Sequence, residues 1–506
     1  MGVVADAADE VSAAQTPASG HDLVVVANRL PVDRVDLPDG SVAWRTSPGG
    51  LVSALGPVMQ GADGVWVGWS GAAGCAAEPF DSDGMALVPV PLSAAEVEDV
   101  YEGFSNATLW PLYHDVIASP QFQRPWWDAY VTVNERFADV AAAQARPGAT
   151  VWVHDYQLQL VPAMLRRGRP DLRIGFFSHI PFPGYELFAQ LPWRRQIVEG
   201  LLGADLIGFQ RRADATNFLR ACRRAAGRQT RGALVYDIEP ATKRAPTVPA
   251  VPAGRPVRVG AFPISIDYEG YGELARRADV QARAIAIRAD LADPETVLLG
   301  VDRLDYTKGI GHRLSAYGEL LDEGRLGPPQ TVLVQVASPS RERVEQYRAL
   351  REEVEGTVGR INGQHAMLGK PAVHYLHHAY PREEMAALYL AADVMLVTSL
   401  RDGMNLVAKE YVACRHDETG ALVLSEFTGA ADELGSAFLV NPHDIEATKE
   451  AILRAIAVTP REARRRMRSL RKRVRTHDVK RWAAGFLDVL ASAPLLPAAK
   501  EPRPPS

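Results

Sequence analysis

The chain has 506 residues, which is too long for one hydrophobic core, so we expect two or three domains. Hydrophobic residues make up 47% of the chain and charged residues 23%, as in a globular protein that folds in water. The formal net charge of −5 argues against nucleic acid or an acidic membrane surface as a partner.

Cysteine usage and the N-terminal segment bear on the cellular compartment. Cys75, Cys222 and Cys414 are widely scattered and show no CxxC spacing, which argues against a disulfide framework and fits a reducing cytosol. Residues 1–20 lack the basic and apolar regions of a signal peptide, and no apolar run reaches the ~18 residues of a membrane-spanning helix. We therefore predict a cytoplasmic protein.

Short runs rich in Val and Ile alternate with helical stretches from residue 22 to about residue 442. Continuous apolar strands separated by helices indicate parallel sheets covered on both faces. The fold class we predict is α/β, with two doubly wound domains and a cleft between them. The predicted strands are 22–29, 150–156, 173–180, 204–210, 257–266, 296–302, 331–338, 372–379, 393–400, 421–427 and 437–442.

A Pro- and Ala-rich passage at 240–256 is the best candidate for a domain junction, although it is equally explained as a surface loop. We therefore divide the chain into a first domain, 22–256, and a second domain, 257–475. A helix over 476–490 is expected to return to the first domain. Residues 1–21 and 491–506 have the composition of disordered segments.

In the first half, polar side chains follow several predicted strands. Arg29 follows the first strand, and the glycines at 49–50 either let backbone amides approach a phosphate or simply make a turn. The stretch 101–114 is rich in aromatic residues, which suits stacking on a sugar but is more often core. Asp155, preceded by a histidine, and His179 also follow strands, where functional side chains gather, although a lone His there is more often structural.

The second half carries two loops of opposite charge beyond neighbouring strand runs. Arg303 and Lys308 follow 296–302, and cations there suit a diphosphate. Asp402 follows 393–400 and precedes a helix predicted over 404–414, whose positive end would attract an anion and whose Glu410 would suit a diol. Each residue taken alone is also explained as a helix cap or a surface charge. Together the two loops predict a nucleotide-sugar site.

Several other patterns do not support a function. Asp81 and Asp83 form a DxD sequence in an expected turn, and the histidines at 374, 377 and 378 would be splayed by strand alternation, so we predict no metal site. The spacing over 363–370 is wrong for a phosphate-binding Walker loop. The basic stretch 461–481 is best interpreted as a solvated amphipathic helix.

Taken together, these segments resemble the trehalose-6-phosphate synthases of glycosyltransferase family 20. These are retaining glucosyltransferases with the GT-B fold, in which two Rossmann-like domains face a cleft. The matching stretches run in order over about residues 22–487. They are NRLP (28–31), GGL (49–51), VGWSG (67–71), FSNATLWPLYH (104–114), VHDYQLQLVP (153–162), FFSHIPFP (176–183), DRLDYTKG (302–309), SPSRERVEQY (338–347) and LRDGMNLVAKEY (400–411).

The resemblance implies a donor site in which Arg303 and Lys308 hold the diphosphate and Gly50 approaches it from the first domain. Glu410 would bind the ribose, while His179 and Asp402 would bind the transferred glucose. The full set of donor-binding residues is Gly50, His179, Arg303, Lys308, Asp402, Asn405, Leu406, Val407 and Glu410.

The resemblance also implies a pocket for glucose 6-phosphate, with Arg29 and Arg341 on its phosphate. Its acceptor-binding residues are Arg29, Trp69, Tyr101, Trp110, Asp155 and Arg341. The residues it implies for catalysis are Asp155, His179, Arg303, Lys308 and Asp402.

The implied reaction uses nucleotide-glucose and glucose 6-phosphate and needs no metal or cofactor. The departing phosphate itself helps to deprotonate the acceptor hydroxyl on the same face of the sugar. The resemblance leaves the donor open among UDP-, ADP- and GDP-glucose and implies a homo-oligomer, a dimer or tetramer. It also implies that a separate phosphatase releases trehalose. Alternatives are another phosphorylated acceptor, such as glycerol 3-phosphate, or an inactive regulatory homologue.

Overall fold

A computed structural model of the chain describes residues 20–36, 42–46, 55–56, 59, 63–74, 78–82, 84–236 and 255–493. Gly50, Asp83 and nearly all of the predicted N-terminal lead and C-terminal tail lie outside the described residues. Among the helices in these ranges, none is both long enough and apolar enough to span a bilayer.

The strands form two large sheets and one hairpin. In chain order they are β1 (His21–Arg29), β2 (Val32–Asp36), β3 (Val42–Thr46), β4 (Gly64–Trp69), β5 (Phe80–Ser82), β6 (Met85–Pro89), β7 (Ala145–His154), β8 (Arg173–Phe177), β9 (Leu206–Phe209), β10 (Gln229–Arg231), β11 (Leu234–Tyr236), β12 (Val257–Ala261), β13 (Thr296–Arg303), β14 (Thr331–Ser338), β15 (Val373–Leu376), β16 (Val394–Val397), β17 (Ala421–Ser425) and β18 (Phe438–Val440).

The first sheet has the order β10-β11-β12-β9-β8-β7-β1-β4-β6-β5, and the seven strands from β12 to β6 are parallel. The chain builds outward from β1 through β4 and β6, and then returns to place β7 on the other side of β1. Side chains that follow β1, β4, β7 and β8 therefore gather at one edge of the sheet.

The second sheet is fully parallel, with the order β15-β14-β13-β16-β17-β18. It begins at the centre, extends to one side and then to the other, which is the doubly wound strand order of nucleotide-binding domains. The strand order reverses between β13 and β16. The loops after these two strands are the ones that carry Arg303, Lys308 and Asp402, so the sheet topology brings together residues almost a hundred positions apart.

Helices cover the two sheets. The α-helices are Ala94–Glu96, Trp110–Tyr113, Arg124–Gln144, Val161–Gly168, Tyr185–Phe188, Arg194–Leu201, Arg212–Ala226, Tyr268–Arg276, Ala278–Asp290, Ile310–Asp322, Glu345–His365, Arg382–Ala391, Leu406–Cys414, Ile445–Ile456, Pro460–Thr476 and Val479–Ala491. A π-helix spans Val97–Leu109, and 3₁₀ turns span Tyr156–Leu158, Tyr306–Lys308 and Gly429–Asp432.

The parallel strands form because their residues are apolar on both faces. In β13, residues 297–301 are all buried, and β8 and β17 are buried almost throughout. The basic helix Pro460–Thr476 instead buries one stripe, consisting of Ala463, Met467, Leu470 and Val474. This stripe confirms an amphipathic helix, but the helix ends at Thr476, and residues 479–481 of the predicted stretch belong to the next helix.

The structure corrects the predicted domain boundary. Strand β12 pairs with β9 in the first sheet, so the chain crosses to the second domain after Ala261 rather than before Val257. The helix Val479–Ala491 packs on the first sheet, where the ring of Phe486 stacks on Trp152 at 4.7 Å. The first domain is the part built on the ten-stranded sheet together with this last helix. The second domain is the part built on the six-stranded sheet.

Candidate active site

The carboxyl-terminal edges of the two sheets face each other, and the residues on them touch across the gap. A Cβ placed on Gly403 would lie 2.2 Å from the carbonyl oxygen of His179, so only glycine allows this approach. The guanidinium of Arg303 lies 5.4 Å from the ring centre of Trp110. The sites predicted in the two halves therefore form one cleft.

An ion pair between Lys308 and Asp402 lies at the switch point of the second sheet. The Lys308 Nζ is 2.6 Å from Asp402 Oδ2, and the two side chains are only 11% and 13% exposed. Asn405 donates a hydrogen bond to the same carboxylate oxygen, at 3.2 Å. Burial opposes ionisation of Asp402, but the adjacent ammonium more than compensates and lowers its pKa. A fixed cation and a fixed acceptor thus lie side by side.

The helix after Asp402 begins later than predicted. It spans Leu406–Cys414, and its N-cap is Asn405, whose side chain accepts a hydrogen bond from the backbone N–H of Ala408 at 3.0 Å. The preceding amides of Leu406 and Val407 have no carbonyl partner within the helix, and they lie at its positive end. Asp402 is therefore not the helix cap, and the helix end can receive an anion.

Glu410 lies on the second turn of this helix. Its carboxylate accepts a hydrogen bond from the Tyr389 hydroxyl at 2.9 Å. Burial raises its pKa, and Tyr389 and Tyr271 partly offset the effect. Leu406 and Val407 are half-buried beside it. The remaining lone pairs of Glu410 suit the hydroxyls of a diol.

Asp305, which the sequence analysis did not single out, organises the loop after β13. Its buried carboxylate accepts from the backbone N–H of Thr307 at 2.9 Å and pairs with Arg341 at 3.3 Å. Burial opposes its ionisation, but Arg341, Arg303 and Lys308 hold its pKa well below the ordinary value. A single buried carboxylate thus anchors the cations. Its position inside the cation-rich loop 303–309 was the available signal.

His179 and Asp155 lie at the edge of the first sheet. Asp155 follows β7 with φ 73°, and its carboxylate accepts from the backbone N–H of His179 at 3.0 Å. Burial raises the pKa of Asp155 to about 6, against the effect of backbone N–H groups and Arg303. Burial also lowers the pKa of His179 to about 3, so its ring is neutral. The His179 Nε2 lies 3.1 Å from His154 Nδ1.

The remaining first-domain residues form an aromatic wall. The guanidinium of Arg29 lies 5.0 Å from the ring centre of Trp69, and Trp69 lies 5.8 Å from Tyr101. Tyr101 and Trp110 belong to the π-helix and the helix that follows it.

Arg341 joins this wall from the second domain. Its guanidinium lies 3.8 Å from the ring centre of Trp110 and donates to the Tyr156 hydroxyl at 3.1 Å. It is 4% exposed, so it is more deeply buried than a surface phosphate ligand would be.

The structure therefore brings most of the predicted residues to two facing edges. The residues predicted for donor binding in the second domain and the predicted residues of the first domain face each other across one cleft. Gly50 lies outside the described residues. The residues placed there are Arg29, Trp69, Tyr101, Trp110, Asp155, His179, Arg303, Lys308, Arg341, Asp402, Asn405, Leu406, Val407 and Glu410.

Within the described residues, one group of three potential metal ligands comes together, and it lies away from the cleft. It consists of the exposed Glu319, Glu323 and Glu446. The ammonium of Lys449 contacts all three carboxylates and occupies the space that a cation would need. This cluster is therefore an ion-pair network.

Comparison with known proteins matches this geometry. The family model of glycosyltransferase family 20 covers residues 21–492. The chain belongs to glycosyltransferase family 20. A trehalose-6-phosphate synthase from Mycolicibacterium gilvum (strain PYR-GCK) is 58% identical over 489 residues, covering 95% of this chain and 96% of the relative.

Solved structures place this family 20 member in the GT-B fold. A UDP-forming α,α-trehalose-phosphate synthase from Burkholderia xenovorans, in complex with glucose-6-phosphate, superimposes with a TM-score of 0.82 at 33% identity, covering 93% of this chain and 100% of the other. A structure from E. coli, bound with UDP-2-fluoro glucose, gives 0.82 at 33% identity and covers 93% and 99%. The family 20 chain is thus a glycosyltransferase with two Rossmann-like domains.

Proposed function

We propose that this enzyme transfers glucose from a nucleotide-glucose donor to glucose 6-phosphate, giving α,α-trehalose 6-phosphate and a nucleoside diphosphate. The observation that carries the proposal is the presence of two groups of cations in one cleft, one at the helix end and one at the aromatic wall. Arg303 and Lys308 border the helix end on the donor side, and Arg29 and Arg341 border the aromatic wall. Two phosphorylated substrates would need two such groups.

On the donor side, each group has a partner in the nucleotide sugar. Lys308 and the amides of Leu406 and Val407 would neutralise the diphosphate, and Glu410 would accept hydrogen bonds from the ribose. Asp402, ionised beside Lys308, would accept from hydroxyls of the transferred glucose. This assignment agrees with the relatives that are named as UDP-forming synthases or bound with a UDP-glucose analogue.

On the acceptor side, Trp69, Tyr101 and Trp110 would pack against the sugar, and Arg29 would hold its phosphate. Arg341 would move from its position on Trp110, since its guanidinium is now directed to Asp305 and Tyr156. The Burkholderia xenovorans relative, solved with glucose-6-phosphate, supports this acceptor.

The proposed chemistry retains the anomeric configuration without a covalent enzyme intermediate. The departing diphosphate oxygen takes the proton from the acceptor hydroxyl on the same face, while Lys308 and Arg303 stabilise the charge that develops on it. Neutral His179 would donate to or accept from the transferred sugar without adding charge. The protein thus contributes orientation and electrostatic stabilisation, and Asp155 positions the backbone at His179.

The decisive experiment is an assay that identifies the product. The purified enzyme is incubated with UDP-, ADP- or GDP-glucose and either glucose 6-phosphate or glycerol 3-phosphate, and the glycosidic linkage is assigned by NMR. We expect α,α-trehalose 6-phosphate from glucose 6-phosphate, with Asp402→Asn as the inactive control. If glucosylglycerol phosphate is the main product, the acceptor is glycerol 3-phosphate rather than glucose 6-phosphate. If no combination of donor and acceptor gives a product, the proposed function is rejected.

A chelation arm tests the metal-independent mechanism. Because lysine and arginine supply the positive charge at the leaving group, we expect activity to survive an excess of EDTA. Loss of activity that Mg²⁺ or Mn²⁺ restores would contradict this part of the proposal.

A further inference from the structure

Arg401, the residue before Asp402, binds two carboxylates of the opposite domain. Its Nε lies 3.2 Å from Asp115 Oδ2, and its Nη2 donates to Asp214 Oδ1 at 3.4 Å. Asp115 follows the helix Trp110–Tyr113, and Asp214 lies on the helix Arg212–Ala226, both in the first domain. The loop that carries Asp402 is therefore fastened across the cleft at the residue directly before Asp402.

The pair with Asp214 is built into the fold, whereas the Asp115 side chain is 46% exposed. The Arg401 side chain is 15% exposed and that of Asp214 is fully buried. Asp115 and Val116 both have left-handed backbone, with φ 56° and 58°, which is uncommon for residues other than glycine. The surrounding structure must hold this turn in place, and the turn directs Asp115 toward Arg401.

The same loop is also tied to Lys308 within the second domain. The backbone N–H of Leu400 donates to the Thr307 carbonyl at 2.8 Å, directly before Lys308. Beyond Asp402, Gly403 lies against the His179 carbonyl. Among the contacts of the described residues, the pair of Arg401 with Asp214 thus links this loop to a buried charge of the first domain.

We propose that Arg401 is a positioning residue for glucosyl transfer: by binding Asp115 and Asp214 it holds the neighbouring Asp402 in its reactive position beside Lys308. The inference rests on the proposed function, in which Asp402 binds the transferred glucose. Arg401 itself contacts no reacting atom. Its removal leaves the nucleotide-binding groups intact but lets the Asp402 loop shift.

The test compares Arg401→Gln with a matched control, Arg211→Gln. Arg211 forms a bidentate pair with Asp432 at 2.7 and 2.8 Å that also joins the two domains, but through a carboxylate that is 52% exposed. We expect Arg401→Gln to lower kcat on the order of 10- to 100-fold, the loss typical of a misplaced reacting geometry. Arg211→Gln should stay within about threefold of the wild type, as for a surface ion pair.

Measuring nucleotide binding distinguishes a positioning role of Arg401 from general damage to the fold. The Kd of the nucleoside diphosphate, measured by calorimetry, should be unchanged in Arg401→Gln, because Arg303, Lys308 and the helix end remain. A double variant, Arg401→Gln with Asp214→Asn, removes the buried unpaired charge if the single variant folds poorly. Its kcat should equal that of Arg401→Gln, since both residues act through one contact.

Three results would overturn the inference. They are wild-type kcat in Arg401→Gln, equal losses in Arg401→Gln and Arg211→Gln, or losses that multiply in the double variant. The wild-type product assay runs alongside. If the wild type forms no trehalose 6-phosphate, the proposed function fails, whereas an active wild type with unaffected variants rejects only the role of Arg401.

Discussion

At the scale of single residues, three members of the site have a backbone conformation that side chains rarely adopt. Asp155, Arg341 and Asn405 have φ angles of 73°, 50° and 77°. Left-handed backbone at a residue other than glycine costs about 1–3 kcal/mol and persists where the surrounding structure imposes it. In each case the strained residue directs a polar side chain: Asp155 to the His179 amide, Arg341 to Asp305 and Asn405 to Asp402.

Replacing Lys308 by alanine tests the charge at the leaving group. The ammonium is fixed 2.6 Å from Asp402 and its side chain is 11% exposed. We expect kcat to fall by about 10²–10³, the usual loss for one preorganised stabilising group. The exposed Lys472→Ala is the control, and circular dichroism checks folding. Near-normal turnover in folded Lys308→Ala would remove this residue from the mechanism.

The pH dependence of activity should reflect Asp155. Burial raises its pKa to about 6, so the carboxylate is ionised above that pH and protonated below it. As pH falls through about 6, we expect kcat to decline because the protonated group loses its negative charge and accepts a weaker hydrogen bond from the His179 amide. Stability should move the other way, because a raised carboxyl pKa adds stability below its unfolded value, near 4, that is lost as pH rises through 6.

Asp214 provides the control for this assignment, since burial raises its pKa to about 6 as well. The acidic decline in kcat should persist near the same pH in Asp214→Asn, measured with saturating substrates. A decline that disappears in this variant would assign the titration to Asp214 instead.

At the scale of elements, the loops after β13 and β16 act as one unit. Gly309 ends the Lys308 turn with φ 63°, and a Cβ there would lie 2.1 Å from the Thr398 carbonyl. Thr398 in turn donates to the Gly309 carbonyl at 3.1 Å. The close approach of the two backbones sets the distance between Lys308 and Asp402. Loop packing rather than side-chain length therefore determines the geometry of the ion pair.

Gly309→Ala should separate these two loops. The new methyl group would have to displace backbone, and left-handed alanine costs a further ~1–2 kcal/mol, so we expect lower stability together with lower kcat. Gly311→Ala, two residues away in the helix, meets its nearest atom at an ordinary 3.7 Å. It should be neutral or stabilising by up to about 1 kcal/mol. Thermal unfolding and kcat of both variants decide the point.

At the scale of the whole molecule, the chain crosses between domains twice. It leaves the first sheet after Ala261 and returns with the helix Val479–Ala491. On that helix Phe486 is buried and faces Gly175 and Gly208 of the first sheet, where a larger residue would collide with its ring. Trp482 also donates to the Phe262 carbonyl at 3.1 Å, just after the first crossing. The two crossings therefore lie together.

Phe486→Ala should weaken this region. Removing a buried phenyl ring typically costs about 3–5 kcal/mol, and its stacking on Trp152 is lost as well. The exposed Lys480→Ala on the same helix should change stability by less than about 0.5 kcal/mol. Chemical denaturation of both variants measures the difference, and similar stabilities would show that the last helix is not anchored by this ring.

Much of the site was predictable because local patterns determine it. The run 296–302 became β13 and 331–338 became β14, since apolar residues on both strand faces suit a buried parallel sheet whatever lies beyond. The predicted domain boundary before Val257 was wrong because the apolar pattern of β12 does not show which of the two sheets the strand joins. The helix begins at Leu406 rather than at the predicted Met404 because the side chain of Asn405 caps it.

The sequence by itself determined the order of elements, the family resemblance and the positions of most candidate residues, because periodicity and motifs depend on neighbours in the chain. Only the tertiary structure decided which residues meet across the cleft. Arg401 binds Asp214 from 187 positions away, and Asp305 collects three cations around one buried carboxylate. Such contacts depend on which distant segments of the chain pack against each other. The pKa shifts depend on the same packing, because it excludes water from the groups that it buries.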